Sequence, residues 1–342
     1  MLLAEPTTHL AQPLPGTTTR AEQGKGFVLR DPELERAIKS LMRPHTGASL
    51  LAFGADWIGI LLASIASTAA FARWGVSPQS VIVYLLALLI IGARMRGLEN
   101  LIHDGLHRNL SPNQRLNDLL AWALAAVPLL HHVGMERLAH FRHHGYFWKE
   151  GKDPDLTRYL AMGVDRLPAA SPLAAARILL GGFGPYVADA LPAFFIPRGE
   201  SGRLRVLRVG AWIAALAAAT LGGWLPGLLL YWFVPFTTSL MVIRYFGEVS
   251  EHVALGCSTE FATTRNNLSW WDQHVLHPHG DGYHLVHHLF PKVPHHNLAQ
   301  AHSLLMRDPT YAGAGNHCHG VFVAARGGRS TLGDFSVKAA GT

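Results

Sequence analysis

Histidine is the residue type in this 342-residue sequence whose number and spacing most clearly predict chemistry, since it occurs 21 times. Three groups are regularly spaced: His103-Asp-Gly-Leu-His107, His140-Phe-Arg-His143-His144 and His284-Leu-Val-His287-His288. Residues three and four apart share one face of a helix, so each group predicts a patch of imidazole nitrogens. Adjacent histidines such as His143 and His144 diverge by about 100°, and they can therefore serve two neighbouring metals.

The number of histidines indicates how many metals the site would hold. Eight imidazoles exceed the need of one ion, because structural zinc takes four ligands and catalytic zinc takes three plus water. The sequence has only two cysteines and contains neither His-Glu-X-X-His nor Glu-X-X-His. These counts exclude a cysteine-based framework, a zinc protease and a carboxylate-bridged di-iron bundle. Two metals with about four imidazoles each are expected, and iron, copper and zinc all suit such ligands.

The composition describes the elements that must position these histidines. Apolar residues make up 49% of the chain and charged residues 15%, against roughly 25% charged in soluble proteins, which favours a membrane protein. Four segments, at about residues 50–71, 81–98, 206–221 and 225–243, are apolar and long enough to span in two hairpins. Weaker runs at 119–130 and 173–196 are predicted to be interfacial or re-entrant, because the first is short and Gly and Pro break the second.

Basic residues predict the orientation of these spans. Of 29 Lys and Arg, the hairpin tips contain only Arg73, and the positive-inside rule assigns the remainder to the cytoplasm. Four spans return the chain to its starting side, so the three histidine groups share that compartment. The same rule explains the net charge of +6 without nucleic acid as a partner. We expect a bacterial inner-membrane protein whose termini and metal site are cytoplasmic.

The sequence also predicts two tails around one membrane domain. Residues 1–30 are polar, lack a secretory signal and are predicted to be flexible. Asp31 would cap a short amphipathic helix that lies on the membrane surface or packs on the core. The membrane domain covers residues 31–308, and residues 309–342 form a Gly-rich C-terminal tail. Asp56, in the first span, would line a polar path or pack against another polar group.

In this order and with this hydropathy, the histidine groups resemble the boxes of the integral-membrane fatty acid desaturase and hydroxylase superfamily. The resemblance covers about residues 50–302. It includes Asp104 in the first box, Asp153-Pro154-Asp155 after the second, and the run from Tyr283 to Pro291 around the third. The resemblance implies an all-α membrane protein, with four transmembrane helices in two hairpins under a cytosolic helical cap that holds a histidine-rich di-metal site.

The resemblance further implies that the box histidines bind two iron ions. Carried over position by position, the ligands are His103, His107, His140, His143, His144, His284, His287 and His288. A ninth, at the end of the last span, would be His252, with His279 or His274 as rivals. Glu248 lies one turn before His252, where some members have Asn, and it either binds metal directly or pairs with Arg244. Asp104 and Glu251 are expected to bond the free ring nitrogens of ligand histidines.

The implied activity is that of a dioxygen-dependent di-iron oxidoreductase, which introduces a double bond into a fatty acyl chain or similar lipid-like substrate. The alternative is hydroxylation or another C–H oxidation of a lipid, carotenoid or amino-acid-derived metabolite. The sequence has no flavin or nicotinamide glycine fingerprint, so electrons would come in trans from a ferredoxin or cytochrome with its NAD(P)H reductase. A membrane metal carrier or sensor, a different class, would need ligands along the spans. The sequence does not indicate substrate-binding residues.

Overall fold

The computed structural model describes residues 25–195, 202–255, 259–324 and 328–336, and its regular structure is almost entirely helical. Most of the predicted flexible tail, residues 1–24, lies outside the described residues. The α-helices, in chain order, are α1 (Pro32–Leu41), α2 (Thr46–Trp74), α3 (Pro78–Leu106), α4 (Gln114–Ala121), α5 (Val133–Gly145), α6 (Pro154–Met162), α7 (Pro172–Phe195), α8 (Gly202–Leu221), α9 (Leu225–Leu228), α10 (Val234–Thr237), α11 (Ser239–His252), α12 (Glu260–Thr263), α13 (His284–Leu289), α14 (Leu298–Leu305), α15 (Pro309–Ala312) and α16 (Thr331–Asp334).

Shorter elements connect these helices. The π-helical turns are Trp122–Ala126, Leu229–Phe233 and Asp272–Leu276, and the 3₁₀ turns are Val164–Arg166, Pro278–Gly280 and His295–Asn297. Two short strands, β1 (Asn266–Asn267) and β2 (His317–Cys318), pair in parallel. Through this pairing and the buried ring of Phe335, the described part of the Gly-rich C-terminal segment packs onto the body of the protein.

Five helices among the described residues are long and apolar enough to cross a membrane: α2, α3, α7, α8 and the run Leu225–His252, which comprises α9 to α11. Four of them contain the predicted spans. The fifth, α7, covers the run at 173–196 as far as Phe195. Gly and Pro were expected to break this run, and that is wrong because the helix continues through Pro185 and Pro192; its interfacial or re-entrant placement stays a prediction. Proline is tolerated in apolar membrane helices, where neighbouring groups and local adjustments satisfy the freed carbonyls. The run at 119–130 is short, as predicted, and combines α4 with a π-helical turn.

Helix α3 packs against both α2 and α11. Its contact with α11 is close at Gly92, where an added Cβ would lie 2.4 Å from the Ser239 hydroxyl oxygen. That hydroxyl donates to the carbonyl of Leu88 at 2.6 Å. A glycine is required there because any side chain would push the two helices apart. The contact holds α3 and α11 close together, and both helices carry histidines of the site at their C-terminal ends.

Helices too short to span gather at this end of α3 and α11. Asp31 caps α1, as predicted, by accepting from the backbone N–H groups of Glu33 and Leu34. Leu34 and Ile38 are buried in a second core that also contains residues of α13 and α14. Helix α1 therefore packs its apolar face on the protein, the second of the two arrangements that its sequence allowed.

Candidate metal centre

Four helices deliver histidines to one place. Helix α3 carries His103 in its last turn, and His107 is its C-cap residue. The four-residue spacing puts both rings on one face. Helix α11 ends at His252. The remaining six rings come from α5 and α13, and they are His140, His143, His144, His284, His287 and His288.

Five of these rings form the first histidine group, with His140 at its centre. The Nε2 atom of His140 lies 3.0 Å from that of His103, 2.7 Å from that of His107 and 3.0 Å from that of His144. The Nε2 atom of His144 is in turn 3.1 Å from that of His287. Ring nitrogens this close, without a carboxylate or carbonyl between them, present converging lone pairs, which is the arrangement that a metal ion needs.

The other four rings form the second histidine group. The Nε2 atom of His288 lies 3.4 Å from that of His143 and 3.2 Å from that of His284. The Nε2 atom of His284 is 3.1 Å from that of His252. The two groups adjoin, since the ring centroids of His144 and His288 are 4.6 Å apart. The structure thus brings all nine sequence-predicted histidines into two neighbouring groups.

Contacts on the opposite ring nitrogen orient the second group. His143 Nδ1 donates to Asp153 at 3.0 Å, and His252 Nδ1 donates to the carbonyl of Thr263 at 3.0 Å. His288 Nδ1 donates to Glu260 at 3.3 Å. A proton held on Nδ1 leaves the Nε2 lone pair free for a metal, so these bonds select the ligating tautomer. The residues therefore fit a pair of metal ions held by neutral imidazoles.

The electrostatic surroundings keep most of these rings neutral. Burial, followed by the neighbouring charge of His103, lowers the pKa of His107 to about 3. Burial also holds the pKa values of His140, His144, His284, His287 and His288 well below the ordinary range. Neutral imidazole is the form that binds metal, so the ligand nitrogens are available without the loss of a proton.

A cavity of about 500 Å³, here called the site cavity, adjoins both histidine groups. Two rings of each group lie in its wall, namely His103 and His140 of the first and His143 and His284 of the second. The remaining wall is unusually charged and includes three arginines and seven carboxylate side chains. A molecule in this space would lie beside both candidate metal positions.

A family model described as fatty acid desaturase matches residues 79–319. This chain belongs to the fatty acid desaturase family. The chain is 32% identical over 266 residues to the dihydrorhizobitoxine desaturase of Bradyrhizobium elkanii, a match that covers 73% of this chain and 75% of that protein. It is 24% identical over 248 residues to an omega-3 fatty acid desaturase of Caenorhabditis elegans, which covers 64% and 57% respectively.

Membership confirms the resemblance that the histidine boxes indicated. It identifies the chain as an oxidoreductase of the desaturase family, and with five apolar helices it indicates an integral membrane protein. Iron is the metal that this family uses, and the histidine groups could hold a metal ion.

Three acidic residues, Glu248, Glu251 and Asp104, were predicted to bind metal or to orient ligand histidines, and the structure gives each a different set of contacts. Glu248 accepts from Arg244 Nε at 2.8 Å, which is the ion pair that the sequence offered as the alternative to metal binding. Glu251 lies 3.6 Å from His284 Nε2, the nitrogen that faces the second group. Asp104 accepts from His295 Nδ1 at 2.8 Å and from Asn109 Nδ2 at 3.0 Å, and neither donor is a box histidine.

The two rivals to His252 lie elsewhere. His279 Nε2 donates to Asp56 at 2.7 Å, and Asp56 also accepts from Arg94 at 3.2 Å. Asp56 thus packs against polar groups, one of the two roles that its place in the first span allowed. His274 donates from Nδ1 to the carbonyl of Trp270 and is exposed.

Sequence reasoning missed two residues of this site. Glu260, which orients His288, lies 28 positions before it, and Thr263 orients His252 through a backbone carbonyl. Neither contact follows a helical spacing, and a carbonyl acceptor leaves no residue-type signal. Asp153 differs because it stands ten positions after His143, inside the acidic motif that follows the second box.

Proposed function

We propose that the chain binds two iron ions through its nine clustered histidines and uses dioxygen to introduce a double bond into its substrate. The observation that carries the proposal is the convergence of the Nε2 atoms into two adjacent groups. Iron held there supplies, with dioxygen, the oxidising power to remove hydrogen from unactivated carbon. The first and second histidine groups would each hold one ion.

The overall reaction balances without a cofactor in this chain. A –CH2–CH2– unit, dioxygen, two electrons and two protons give –CH=CH– and two molecules of water. The substrate supplies two electrons with its two hydrogen atoms, so an external donor must supply the other two. A ferredoxin or cytochrome with its NAD(P)H reductase fits this requirement, and it would dock from the cytoplasm, where we expect the termini and the histidine groups of this inner-membrane protein to lie.

The protein's own residues would orient the iron ligands and bind the substrate. Asp153, Glu260 and the carbonyl of Thr263 hold three imidazoles in the ligating tautomer. The site cavity would present a bound substrate to both histidine groups. The helices too short to span would form the cytosolic cap, with the membrane-spanning helices beneath it.

Two chemical outcomes are open to such a site, loss of a second hydrogen or transfer of a hydroxyl group. The names of both relatives favour desaturation. The same names suggest two kinds of substrate, a fatty acyl chain and dihydrorhizobitoxine, and the more similar relative acts on the latter. A membrane metal carrier or sensor is less well supported, because the nine rings form one compact pair of groups rather than a series of ligands along the spans.

Metal analysis and product analysis test the proposal together. Detergent-purified protein should contain two iron ions per chain with the spectroscopic signature of a coupled pair. Cells that express the wild type should accumulate a compound two mass units lighter than its precursor, and a product sixteen units heavier would indicate hydroxylation instead.

A matched pair of histidine variants provides the control. His143→Ala should lose iron and product, whereas His274→Ala, which removes an exposed ring outside both groups, should retain both. Protein that purifies without iron, or His143→Ala protein that keeps its full iron content, would contradict the proposal.

A further inference from the structure

The wall of the site cavity contains buried polar atoms without hydrogen-bond partners. Among the described residues, six buried side-chain nitrogen or oxygen atoms lack a partner, and four of them belong to residues of this wall. One is the Nδ1 atom of His284, a proposed iron ligand. The other three are His132 Nε2, Arg158 Nε and Glu248 Oε2. Buried polar groups are normally hydrogen-bonded, so such a concentration indicates a binding site for a polar ligand.

Two of these three atoms are hydrogen-bond donors. His132 Nδ1 accepts from the backbone N–H of Met135 at 2.9 Å, so the proton of the neutral ring is on Nε2. Arg158 Nε always carries a proton, and the Nη2 atom of the same side chain is already occupied by Asp155. The wall therefore offers an N–H from an imidazole and an N–H from a guanidinium, a pair that suits a carboxylate.

The third atom is an acceptor. Glu248 uses its Oε1 atom for Arg244 Nε at 2.8 Å and for the hydroxyl of Tyr186 at 3.3 Å. Its Oε2 atom accepts no hydrogen bond, and Arg158 Nη2 lies 3.5 Å away. The Glu248 side chain is about nine-tenths buried. A buried carboxylate oxygen of this kind suits a cationic donor such as a primary ammonium group.

We propose that the site cavity binds a compact zwitterionic substrate, an aliphatic α-amino acid, rather than a fatty acyl chain. This inference rests on the proposed function and specifies its substrate class. His132 and Arg158 donate to the substrate carboxylate, and Glu248 accepts from its ammonium group. The aliphatic part lies towards the histidine groups, where carbon–hydrogen bonds are removed.

An acyl chain does not satisfy the same wall. Methylene groups would leave the three atoms without hydrogen bonds, which costs roughly five- to a hundredfold in affinity for each atom. A simple carboxylate would accept from the two donors and leave Glu248 Oε2 without a hydrogen bond, and a simple amine would do the reverse. The zwitterion is the one of these head groups that pairs all three.

Three six-carbon probes separate these head groups. Norleucine carries both charges, hexanoate only the carboxylate and hexylamine only the ammonium group. Each is added at equal concentration to iron-containing, detergent-purified protein, and the thermal unfolding midpoint and the Kd are measured. Norleucine, or its longer homologue 2-aminooctanoate, should raise the midpoint, whereas hexanoate and hexylamine should leave it unchanged.

Two variants locate the binding. Arg158→Gln and Glu248→Gln should each weaken norleucine binding about tenfold or more at unchanged iron content. Matched controls are Arg115→Gln and Glu33→Gln, which make the same chemical changes at exposed positions. Because amino acids also chelate iron, an unchanged Kd in both cavity variants would assign the binding to the metal and overturn the inference.

The remaining outcomes separate this inference from the proposed function. Iron-containing protein that desaturates an acyl chain and binds neither amino acid overturns the zwitterion and leaves the proposed function standing. Protein without iron overturns the proposed function itself. If a cavity variant does not fold, the comparison of the three head groups on the wild type decides, since equal shifts by hexanoate and norleucine contradict the role of Glu248.

Discussion

Asp153 combines a structural role and a metal-orienting role in one fully buried carboxylate. It caps α6 by accepting from the backbone N–H of Asp155 at 2.9 Å, and it accepts from the backbone N–H of Trp148 at 2.8 Å. It also accepts from His143 Nδ1 at 3.0 Å. The two roles can be separated, because asparagine caps helices nearly as well as aspartate but lacks the charge that orients an imidazolium or imidazole donor.

The structure predicts different costs for two substitutions. Asp153→Ala removes a cap worth about 1 kcal/mol. It also removes the nearer acceptor of His143 Nδ1, which keeps only Asp155 Oδ2 at 3.4 Å, at a cost of about 1–3 kcal/mol. The free energy of unfolding of the metal-free protein should therefore fall by about 2–4 kcal/mol. Asp153→Asn should cost far less stability, yet weaken iron binding about 10- to 100-fold, the usual effect of losing a carboxylate behind a ligand histidine.

The assay measures the unfolding of metal-free protein and the iron affinity by competition with a chelator. Asp31→Ala is the matched control, since it removes an aspartate cap from α1 without touching a histidine. It should cost about 1 kcal/mol and leave iron affinity unchanged. If Asp153→Asn binds iron as tightly as the wild type, the carboxylate does not orient His143, and the argument from Nδ1 contacts is wrong.

Three further predictions concern groups outside the histidine ligands. The carboxylates of Glu136 and Glu99 raise the pKa of His131 to about 9, although burial of the ring opposes this shift. The charged ring therefore stabilises the fold fully below pH 6.5, and this contribution is lost as the pH rises through 9. About 3 kcal/mol of unfolding free energy should disappear over this window in the wild type but not in His131→Gln, as unfolding titrations from pH 6 to 10 would show. Gly92→Ala should cost about 1–3 kcal/mol in thermal unfolding because its Cβ would meet Ser239, whereas Gly54→Ala, with open space around it, should cost nothing. His279→Ala should keep its full iron content while it removes a partner of Asp56, and loss of one iron ion would restore His279 as a ligand.

The histidine groups show which parts of the site can be predicted from the spacing of residues along a helix. A four-residue repeat places His103 and His107 on one helical face whatever the tertiary fold, and the family resemblance relates the three boxes to one another. The resemblance favoured His252 over His274 and His279, but spacing alone could not make that choice. It depends on how α11 packs against α3, and their close contact at Gly92 and Ser239 is one that no pattern in either helix predicts.

Helix α7 illustrates the opposite difficulty. Proline and glycine normally end a helix in water, so they were expected to break the run at 173–196 and to make it interfacial or re-entrant. The helix is nevertheless continuous from Pro172 to Phe195, because an apolar environment makes an unpaired backbone group costly and favours helix on both sides of a proline. A rule derived from helices in water therefore predicted a break in this run that the structure does not have.

Neither helical spacing nor family resemblance predicts the wall of the site cavity, although this wall would determine which substrate binds. His132 follows α4, Arg158 lies in α6 and Glu248 in α11, so more than a hundred residues separate the first from the last. In the sequence, each has an ordinary explanation as a helix cap, a surface charge or an ion pair. Only their burial around one space, each with a polar atom that lacks a hydrogen bond, indicates a ligand. The metal ligands can therefore be predicted from local spacing in the sequence. The residues that would bind the substrate cannot, because they come together only when the helices pack.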